Sequence, residues 1–340
     1  MTMNSMSQRR TTRLPFAGLT VSMCVAAAAC SATGPGSSSA KDTSDKQLII
    51  GHSYQDLSSP YFADERKVEK ALAAKNGYSY VATQASNNPA TQLTDIENLI
   101  SRKVNLLVID AIDPNAVVPG IKSANSAGIP VVMLIRKPAG GNYKSLVYLD
   151  SIKDGANACA AVATRLGGKG KVVNLTGPLD ILAAKERSTG CTNELKKYPG
   201  ITVVASPQTD FTQRDAEQKM TDVLQVHRDV DAVFGGNDDI ALGAIRAFTS
   251  AGIDPKTKVV IGIDGTQAGL QAVCNGTYTQ SLATFPVKEA EIVMDIAAKI
   301  HRGKPVQKEV LFPAVPVNAD NIKAAVKTAG YPISSCPAAK

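Results

Sequence analysis

From Lys46 onward, short apolar runs alternate with stretches in which apolar residues recur at helical spacing. Apolar runs bounded by turn residues predict buried strands, and the intervening stretches predict amphipathic helices. The predicted strands lie at 47–51, 78–82, 105–109, 130–135, 171–176, 201–205, 230–234 and 258–263. The predicted helices lie at 61–75, 89–102, 114–127, 154–167, 183–197, 212–227, 239–251 and 286–303. This alternation predicts an α/β fold built on parallel sheets.

Three segments interrupt the alternation. They are "KPAGGNYKSLVYLD" (137–150), "SLATFPV" (281–287) and "LFPAVPVNADN" (311–321). We interpret them as crossings between two Rossmann-like lobes that are joined by three adjacent hinge strands. The predicted N-terminal lobe comprises 47–146 and 285–312, and the C-terminal lobe 147–284 and 313–340. A chain of 340 residues with 44% hydrophobic residues is long enough to bury two cores.

The N-terminus has the pattern of an export signal. Three arginines (Arg9, Arg10 and Arg13) precede an uncharged stretch that ends in Ala-Ala-Ala-Cys30. This stretch is short for a membrane span. We therefore expect a signal peptide over 1–29 and a Gly/Ser-rich tether over 30–46. The alanines before Cys30 resemble a bacterial lipobox, which predicts lipidation of Cys30 and an exported protein, either lipid-anchored at the outer face of the cell membrane or periplasmic.

Charge and histidine content exclude several kinds of partner. The formal net charge of +7 falls to about +4 once residues 1–29 are removed. The lysines are scattered and tryptophan is absent, so no nucleic-acid partner is expected. The three histidines are isolated and no Cys-x-x-Cys spacing occurs, so neither a metal nor a cofactor is expected.

Four cysteines remain in the exported part of the chain, and four cysteines allow three pairings. An oxidising compartment favours disulfides. Cys159 and Cys191 lie on neighbouring predicted helices, and a bond between Cys274 and Cys336 would hold the C-terminus in place. We therefore prefer these two pairs.

Polar residues follow the predicted strands. They are Ser53, Asp110, Arg136, Asn237 and Asp264, one after each of five strands. In parallel sheets ligands bind outside the carboxyl ends of the strands, so the recurrence predicts a shared site. Asp238 and Asp239 are instead expected to cap the helix that follows them.

Several motifs resemble those of bacterial periplasmic sugar-binding proteins of the ribose-binding type, which have the type I periplasmic-binding-protein fold. Those sugar-binding proteins also resemble the ligand domains of lactose-repressor-like regulators. The resemblance runs from about Gln47 to Asn321 and rests on "SSPYFADERKVEKALAAKNGY", "SNNPATQLTDIENLI", "LLVIDAIDPNAV", "AGIPVVMLIR", "AAKERSTG", "TDFTQRDAEQKMTDVL", "FGGNDDIALGAIRAF", "VVIGIDGTQAGLQAV" and "GKPVQKEVLFPAVPV". It implies a monomeric receptor that closes its lobes on a small sugar or polyol and delivers it to the permease of an ABC transporter.

The resemblance also implies roles for individual residues. The aromatic rings expected to pack against the faces of the sugar ring are those of Tyr61, Phe62 and Phe211. Arg136 and Arg187 are expected to donate hydrogen bonds to ligand oxygens, and Asp264 to accept them from ligand hydroxyls. Asn237 can donate and accept. Arg187 belongs to the Arg-x-x-Gly pattern that ends at Gly190.

Four positions depart from the ribose pattern. Ser59 replaces an amide, Asp110 stands where an amide is usual, Ile135 replaces an acid, and Thr284 stands where a glutamine is expected. Loss of the acid at 135 removes a partner for a sugar hydroxyl. The expected ligand is therefore another pentose or hexose, a sugar alcohol, or a deoxy or methyl-bearing sugar.

Two other classes of protein fit the sequence less well. An enzyme is disfavoured because the first strand is not followed by a Gly-x-Gly-x-x-Gly turn, no Gly-x-Ser-x-Gly motif occurs, and "GGKGKVV" precedes a strand. A regulator would need a DNA-binding headpiece where this chain has an export signal. The sequence is equally compatible with an exported binding protein that serves a chemoreceptor or sensor kinase.

Overall fold

The computed structural model describes residues 47–333 and 336–337. Every strand and helix predicted from the sequence is present there. The strands are β1 (Ile49–Tyr54), β2 (Ser79–Gln84), β3 (Leu106–Asp110), β4 (Val131–Ile135), β5 (Ser145–Tyr148), β6 (Lys169–Leu175), β7 (Gly200–Ala205), β8 (Ala232–Gly235), β9 (Val259–Asp264), β10 (Gln280–Ala283), β11 (Glu309–Leu311) and β12 (Val315–Asn318). The helices are α1 (Pro60–Lys75), α2 (Pro89–Ser101), α3 (Val118–Ser126), α4 (Ser151–Arg165), α5 (Leu182–Leu195), α6 (Gln213–Val226), α7 (Asp238–Ser250), α8 (Gln267–Asn275), α9 (Pro286–His301) and α10 (Ile322–Ala329), with a 3-10 turn at Pro255–Thr257.

The N-terminal lobe is a six-stranded parallel sheet in the order β11-β5-β4-β3-β1-β2. One face packs against α1 and α9, and the other packs against α2 and α3. Strand β3 shows why its sequence is uniformly apolar: Leu106 and Val108 face the first core, whereas Leu107 and Ile109 face the second. Strands covered on both faces read as continuous apolar runs.

The C-terminal lobe repeats this arrangement with a sheet in the order β12-β10-β9-β8-β6-β7. All pairs are parallel except β10 and β12. Helices α4 and α5 cover one face, and α6, α7, α8 and α10 cover the other. The two lobes of the expected α/β architecture are therefore both present.

Three segments cross between the lobes: 149–150, 284–285 and 312–314. They are short and irregular rather than strands, and they continue from β5, β10 and β11. The predicted boundary between residues 146 and 147 falls inside β5, which pairs with β4 over its whole length. The β5 run is short and follows Pro138, Gly140 and Gly141, so its local pattern indicates a crossing and not a strand.

The sulfur atoms of Cys159 and Cys191 are bonded, and so are those of Cys274 and Cys336, which is the preferred pairing. The first bond joins α4 to α5, and the second joins α8 to the C-terminal segment. In the part of the chain described, no helix is both long and apolar enough to cross a membrane. The predicted signal peptide, the tether and Cys30 lie outside the described residues.

Candidate functional site

A cavity lies between the two lobes, and both contribute to its walls. It encloses about 830 Å³ of empty space, part of which is open to solvent. Nine of the sequence-predicted site residues line it: Ser59, Tyr61, Phe62, Ile135, Arg136, Arg187, Phe211, Asn237 and Asp264.

Three of these lining residues have a strained backbone. The φ angles of Ile135, Phe211 and Asp264 are 64°, 69° and 130°, in a region that residues other than glycine rarely adopt. At Ile135 the N–H of Arg136 donates to the carbonyl of Leu134 (2.6 Å), which closes a tight turn at the end of β4. Such strain concentrates at ligand sites, where the surrounding structure holds it.

Two buried guanidinium groups approach the cavity from opposite lobes. Arg136 follows β4 and donates from Nη1 to the carbonyl of Ala111 (2.5 Å). Arg187 lies on α5 and donates from Nη1 to the carbonyl of Gly236 (2.9 Å) and to Asp264 Oδ1 (3.3 Å). In both, Nε is buried without a hydrogen-bond partner among the described residues. A buried donor without a partner is costly, so both are well suited to a bound oxygen.

Asp264 supplies the acid beside Arg187. Burial raises the pKa of Asp264 to about 8, although the guanidinium of Arg187 opposes the shift. Its backbone carbonyl accepts from the N–H groups of Thr284 (2.9 Å) and Phe285 (3.1 Å) in the second crossing segment. The backbone of the residue that carries this carboxyl group is therefore hydrogen-bonded directly to the second crossing segment.

Asn237, rather than the acids that follow it, caps α7. Its Oδ1 accepts from the N–H of Ile240 (2.8 Å). The expectation that Asp238 and Asp239 cap this helix is wrong. Asp238 instead accepts from Thr266, Tyr278 and Ser281 of the same lobe. Asp239 accepts from Gln213 Nε2 (2.6 Å) and lines the cavity.

Aromatic rings stand on both sides of the cavity. Tyr61 and Phe62 pack edge to face with ring centroids 5.3 Å apart. Across the cleft, Phe211 lies against Gly177, where an added Cβ would come within 2.3 Å of the ring. Only glycine at 177 allows Phe211 this position. Rings held in this way offer flat apolar surfaces to a ligand.

Two sequence-predicted residues, Asp110 and Thr284, do not line the cavity. Asp110 is fully buried and accepts from Gln55 Nε2 (2.6 Å), so the lining side chain is Gln55. Burial raises the pKa of Asp110 to about 6. The hydroxyl of Thr284, in the second crossing segment, donates to the carbonyl of Asp264 (3.3 Å) at the end of β9. Both positions support lining residues from behind.

Sequence reasoning missed part of the lining. The missed polar residues are Gln55, Asp56, Ser58, Asn87, Ser151, Asp210, Thr212 and Asp239, and the missed apolar residues are Leu149, Ile181 and Ala183. Strand β1 extends to Tyr54, so Ser53 is buried within it and the polar residue at its end is Gln55. The rule that polar residues follow strands would have identified Gln55 if the strand end had been placed correctly.

Four buried carboxyl groups lie in the N-terminal lobe near the cavity: Glu65, Glu69, Asp110 and Glu289. Glu69 Oε2 accepts from the hydroxyls of Tyr54 and Tyr80 and is bonded to His52 Nδ1 (2.7 Å). Neither oxygen of Glu65 has a partner among the described residues. Burial, together with the neighbouring acids, raises the pKa of Glu65 well above its ordinary value. We name these four residues the carboxyl cluster.

Comparisons with known proteins agree with this architecture. A family model described as a periplasmic binding protein domain matches residues 50–305. The ribose import binding protein RbsB of Bacillus subtilis is 33% identical over 268 residues, which are 79% of this chain and 86% of that protein. The xylitol-binding protein of Mycolicibacterium smegmatis is 29% identical over 280 residues, 82% of this chain and 79% of that protein.

A solved structure from Mycobacterium smegmatis in complex with β-D-fucofuranose has a TM-score of 0.76 and 27% identity, covering 84% of this chain and 96% of that one. The family model spans most of the chain, and the ribose import relative is more than 30% identical over most of its length. This chain therefore belongs to the periplasmic binding protein family, as a sugar-binding protein of the ribose type.

Proposed function

We propose that this protein captures a small sugar or sugar alcohol in the cavity between its lobes and presents the closed form to the permease of an ABC transporter. The observation that carries the proposal is the pair Arg136 and Arg187. They belong to different lobes, line one cavity, and each keeps a buried Nε without a partner among the described residues. A ligand oxygen that bonded both would hold the lobes together.

The composition of the walls supports a polyhydroxy ligand. Arg136 and Arg187 donate to hydroxyl oxygens, Asp264 and Asn237 accept from hydroxyl hydrogens, and the rings of Tyr61, Phe62 and Phe211 cover the apolar ring faces. Ser59 adds a small hydroxyl at the start of α1. In this proposal Asp110 and Thr284 act indirectly, by orienting Gln55 and Asp264.

Relatives named for ribose and for xylitol support a ligand of this size. Ribose itself is not the ligand that we propose, because Ile135 offers a cavity wall without hydrogen-bonding atoms. Opening and closing would occur at the three crossing segments. Closure then provides the signal that a transporter recognises.

A thermal-shift screen over sugars and polyols tests the proposal. A ligand that binds only the folded protein raises its melting temperature. For the best ligand, calorimetry should give a dissociation constant of about 1 μM or lower. If no sugar or polyol raises the melting temperature, the proposal fails.

A matched pair of variants on α5 locates the site. Arg187→Ala should lower the affinity at least about 100-fold, because it removes a buried donor to the ligand. Lys185→Ala, an exposed position on the same helix, should leave the affinity unchanged. Equal affinities for the two variants would exclude Arg187 from the site.

We also propose that Cys30 is lipidated and holds the protein at the outer face of the cell membrane, with residues 30–46 as a tether. Support comes from the family, whose members work outside the cytoplasm, and from the sequence around Cys30. Fatty-acid labelling of cells that express the wild type and Cys30→Ser tests this. Label on the wild type alone is expected, and label on neither protein would reject the anchor.

A further inference from the structure

Four residues of the cavity wall are apolar and not aromatic. They are Ile135 at the end of β4, Leu149 in the first crossing segment, and Ile181 and Ala183 at the start of α5. Ile135 and Leu149 also share an adjoining groove with Leu182, which places the start of α5 beside them. The sheet register pairs Ile135 with Tyr148, so Leu149 follows directly beside it. We name these four residues the apolar corner. Both lobes contribute to it.

The apolar corner adds to the apolar surface that a sugar ring ordinarily needs. A sugar ring has two apolar faces, and the rings of Tyr61 and Phe62 on one lobe and Phe211 on the other provide a surface for each. The edge of a fully hydroxylated ring carries hydroxyl groups all round. An apolar wall beyond the aromatic rings therefore offers no hydrogen-bond partner to a hydroxyl on the ligand edge.

The side chains of the apolar corner contain no hydrogen-bonding atoms. A ligand hydroxyl facing them would lose water without gaining a partner, which is unfavourable. A methyl or methylene group in the same place would bury apolar surface, which is favourable. The corner thus discriminates between a hydroxyl and a hydrogen or methyl at one ligand position.

Space continues beyond the apolar corner. A second groove adjoins the cavity and shares Ile135, Arg136 and Leu149 with it. Its further walls are mixed: Leu146 and Leu182 are apolar, whereas Lys137, Glu186 and Glu309 are charged. A small substituent that points past Ile135 therefore has space there, but beyond Ile135 and Leu149 it meets both apolar and charged side chains.

We infer that the ligand is a deoxy or methyl-bearing sugar or polyol whose apolar carbon contacts Ile135 and Leu149. This inference rests on the proposed function and specifies its ligand. It makes Ile135 the residue that sets the preference for a deoxy position.

Matched sugars that differ by one hydroxyl test the inference. Suitable pairs are D-galactose with D-fucose, L-mannose with L-rhamnose, and D-ribose with 5-deoxy-D-ribose, each measured by calorimetry on the wild-type protein. In at least one pair the deoxy sugar should bind about tenfold or more tightly than its partner. If sugars or polyols bind but every hydroxylated partner binds equally or more tightly, the inference is wrong while the proposed function stands. If no sugar or polyol binds, the proposed function fails as well.

Two variants of nearly equal size test the role of Ile135. Ile135→Val keeps a branched apolar side chain in the same strained turn, whereas Ile135→Thr adds a hydroxyl to that shape. The valine variant should keep the preference for the deoxy sugar, and the threonine variant should reduce it about fivefold or more. Equal preferences in both variants would overturn the role of Ile135.

A variant at a second position tests the inference even if substitutions at residue 135 impair folding. Ala183→Ser adds a hydroxyl at the partly exposed start of α5, away from the strained turn. It should also reduce the preference for the deoxy sugar, with an unchanged melting temperature of the unliganded protein. An unchanged preference in Ala183→Ser and in Ile135→Thr would contradict the inference.

Discussion

The hydroxyl of Tyr61 donates to Oε2 of Glu289 over 2.5 Å. The ring of Tyr61 lines the cavity, whereas Glu289 lies in the first turn of α9, just after the second crossing segment. This bond therefore connects a ligand-facing ring to the helix that begins directly after the second crossing segment. Oε1 of Glu289 is buried without a partner in the described part of the chain.

Stability of the unliganded protein should fall as the pH rises from about 4.5 to about 8. Burial raises the pKa of Glu289 from 4.5 to about 8, and the buried acids Asp110, Glu69 and Asp264 reinforce the shift, while the bond from Tyr61 opposes it. Between these values the folded protein binds more protons than the unfolded chain, so its stability is lost as the pH rises. Calorimetric melting should show a lower melting temperature, by about 5 °C or more, at about pH 8.5 than at about pH 5.5.

A matched pair of variants on α9 tests the source of this pH dependence. Glu289→Gln keeps an acceptor for Tyr61 but cannot ionise, so it should weaken the dependence. Glu291→Gln removes an exposed carboxylate that pairs with Lys288 and should leave the dependence as in the wild type. If the melting temperature of the Glu289→Gln protein fell with pH as steeply as that of the wild type, Glu289 would not be the source of the pH dependence.

Helices α4 and α5 touch through two glycines. A Cβ added at Gly155 would lie 2.0 Å from the carbonyl oxygen of Arg187, and one at Gly190 would lie 2.0 Å from that of Ile152. We expect Gly190→Ala to push the helices apart, lower the free energy of unfolding by about 3 kcal/mol and weaken ligand binding about tenfold.

Denaturant unfolding and calorimetric titration measure the two effects at Gly190. Gly140→Ala is the control, because its Cβ would meet Val118 at an ordinary 3.5 Å. Wild-type stability and affinity in Gly190→Ala would show that the helices can separate without moving Arg187.

Asp238 links α7 to the loop after β9 and to β10. Its carboxyl oxygens accept from the N–H (2.8 Å) and hydroxyl (2.9 Å) of Thr266, and from the hydroxyls of Tyr278 (2.8 Å) and Ser281 (2.8 Å). Asp238→Asn leaves one acceptor oxygen and places an amide against buried donors. The free energy of unfolding should fall by about 3 kcal/mol in urea titrations. Asp222→Asn, which alters an exposed residue that accepts from Gln218, should change it by less than about 0.5 kcal/mol.

The two disulfides should contribute differently to binding. Replacing either pair with alanine should lower the free energy of unfolding by about 2–4 kcal/mol, since the bonds close loops of 32 and 62 residues. Only loss of Cys159–Cys191 should also weaken ligand binding, because it joins the two helices that position Arg187. Equal affinities in the two double variants, measured by calorimetry, would contradict this.

The candidate site was only partly predictable from the sequence. Asn237, Asp238 and Asp239 are all good helix caps, and only the geometry of α7 selects Asn237. Asp110 and Gln55 are both polar residues at strand ends, and only packing places Gln55 in the cavity and Asp110 behind it. The carboxyl cluster was missed because a Glu on α1 is ordinarily read as exposed.

The sequence by itself determined eight of the strands, the helices between them and the two-lobed α/β class, because burial on both faces of a sheet imposes a local apolar pattern. The tertiary structure alone decided β5, β10, β11 and β12, which lie in segments that interrupt the alternation and which pair with strands distant in the chain, as β11 does with β5. It also decided which lobe surfaces meet. The apolar corner combines residues from both lobes, and no local pattern records that proximity.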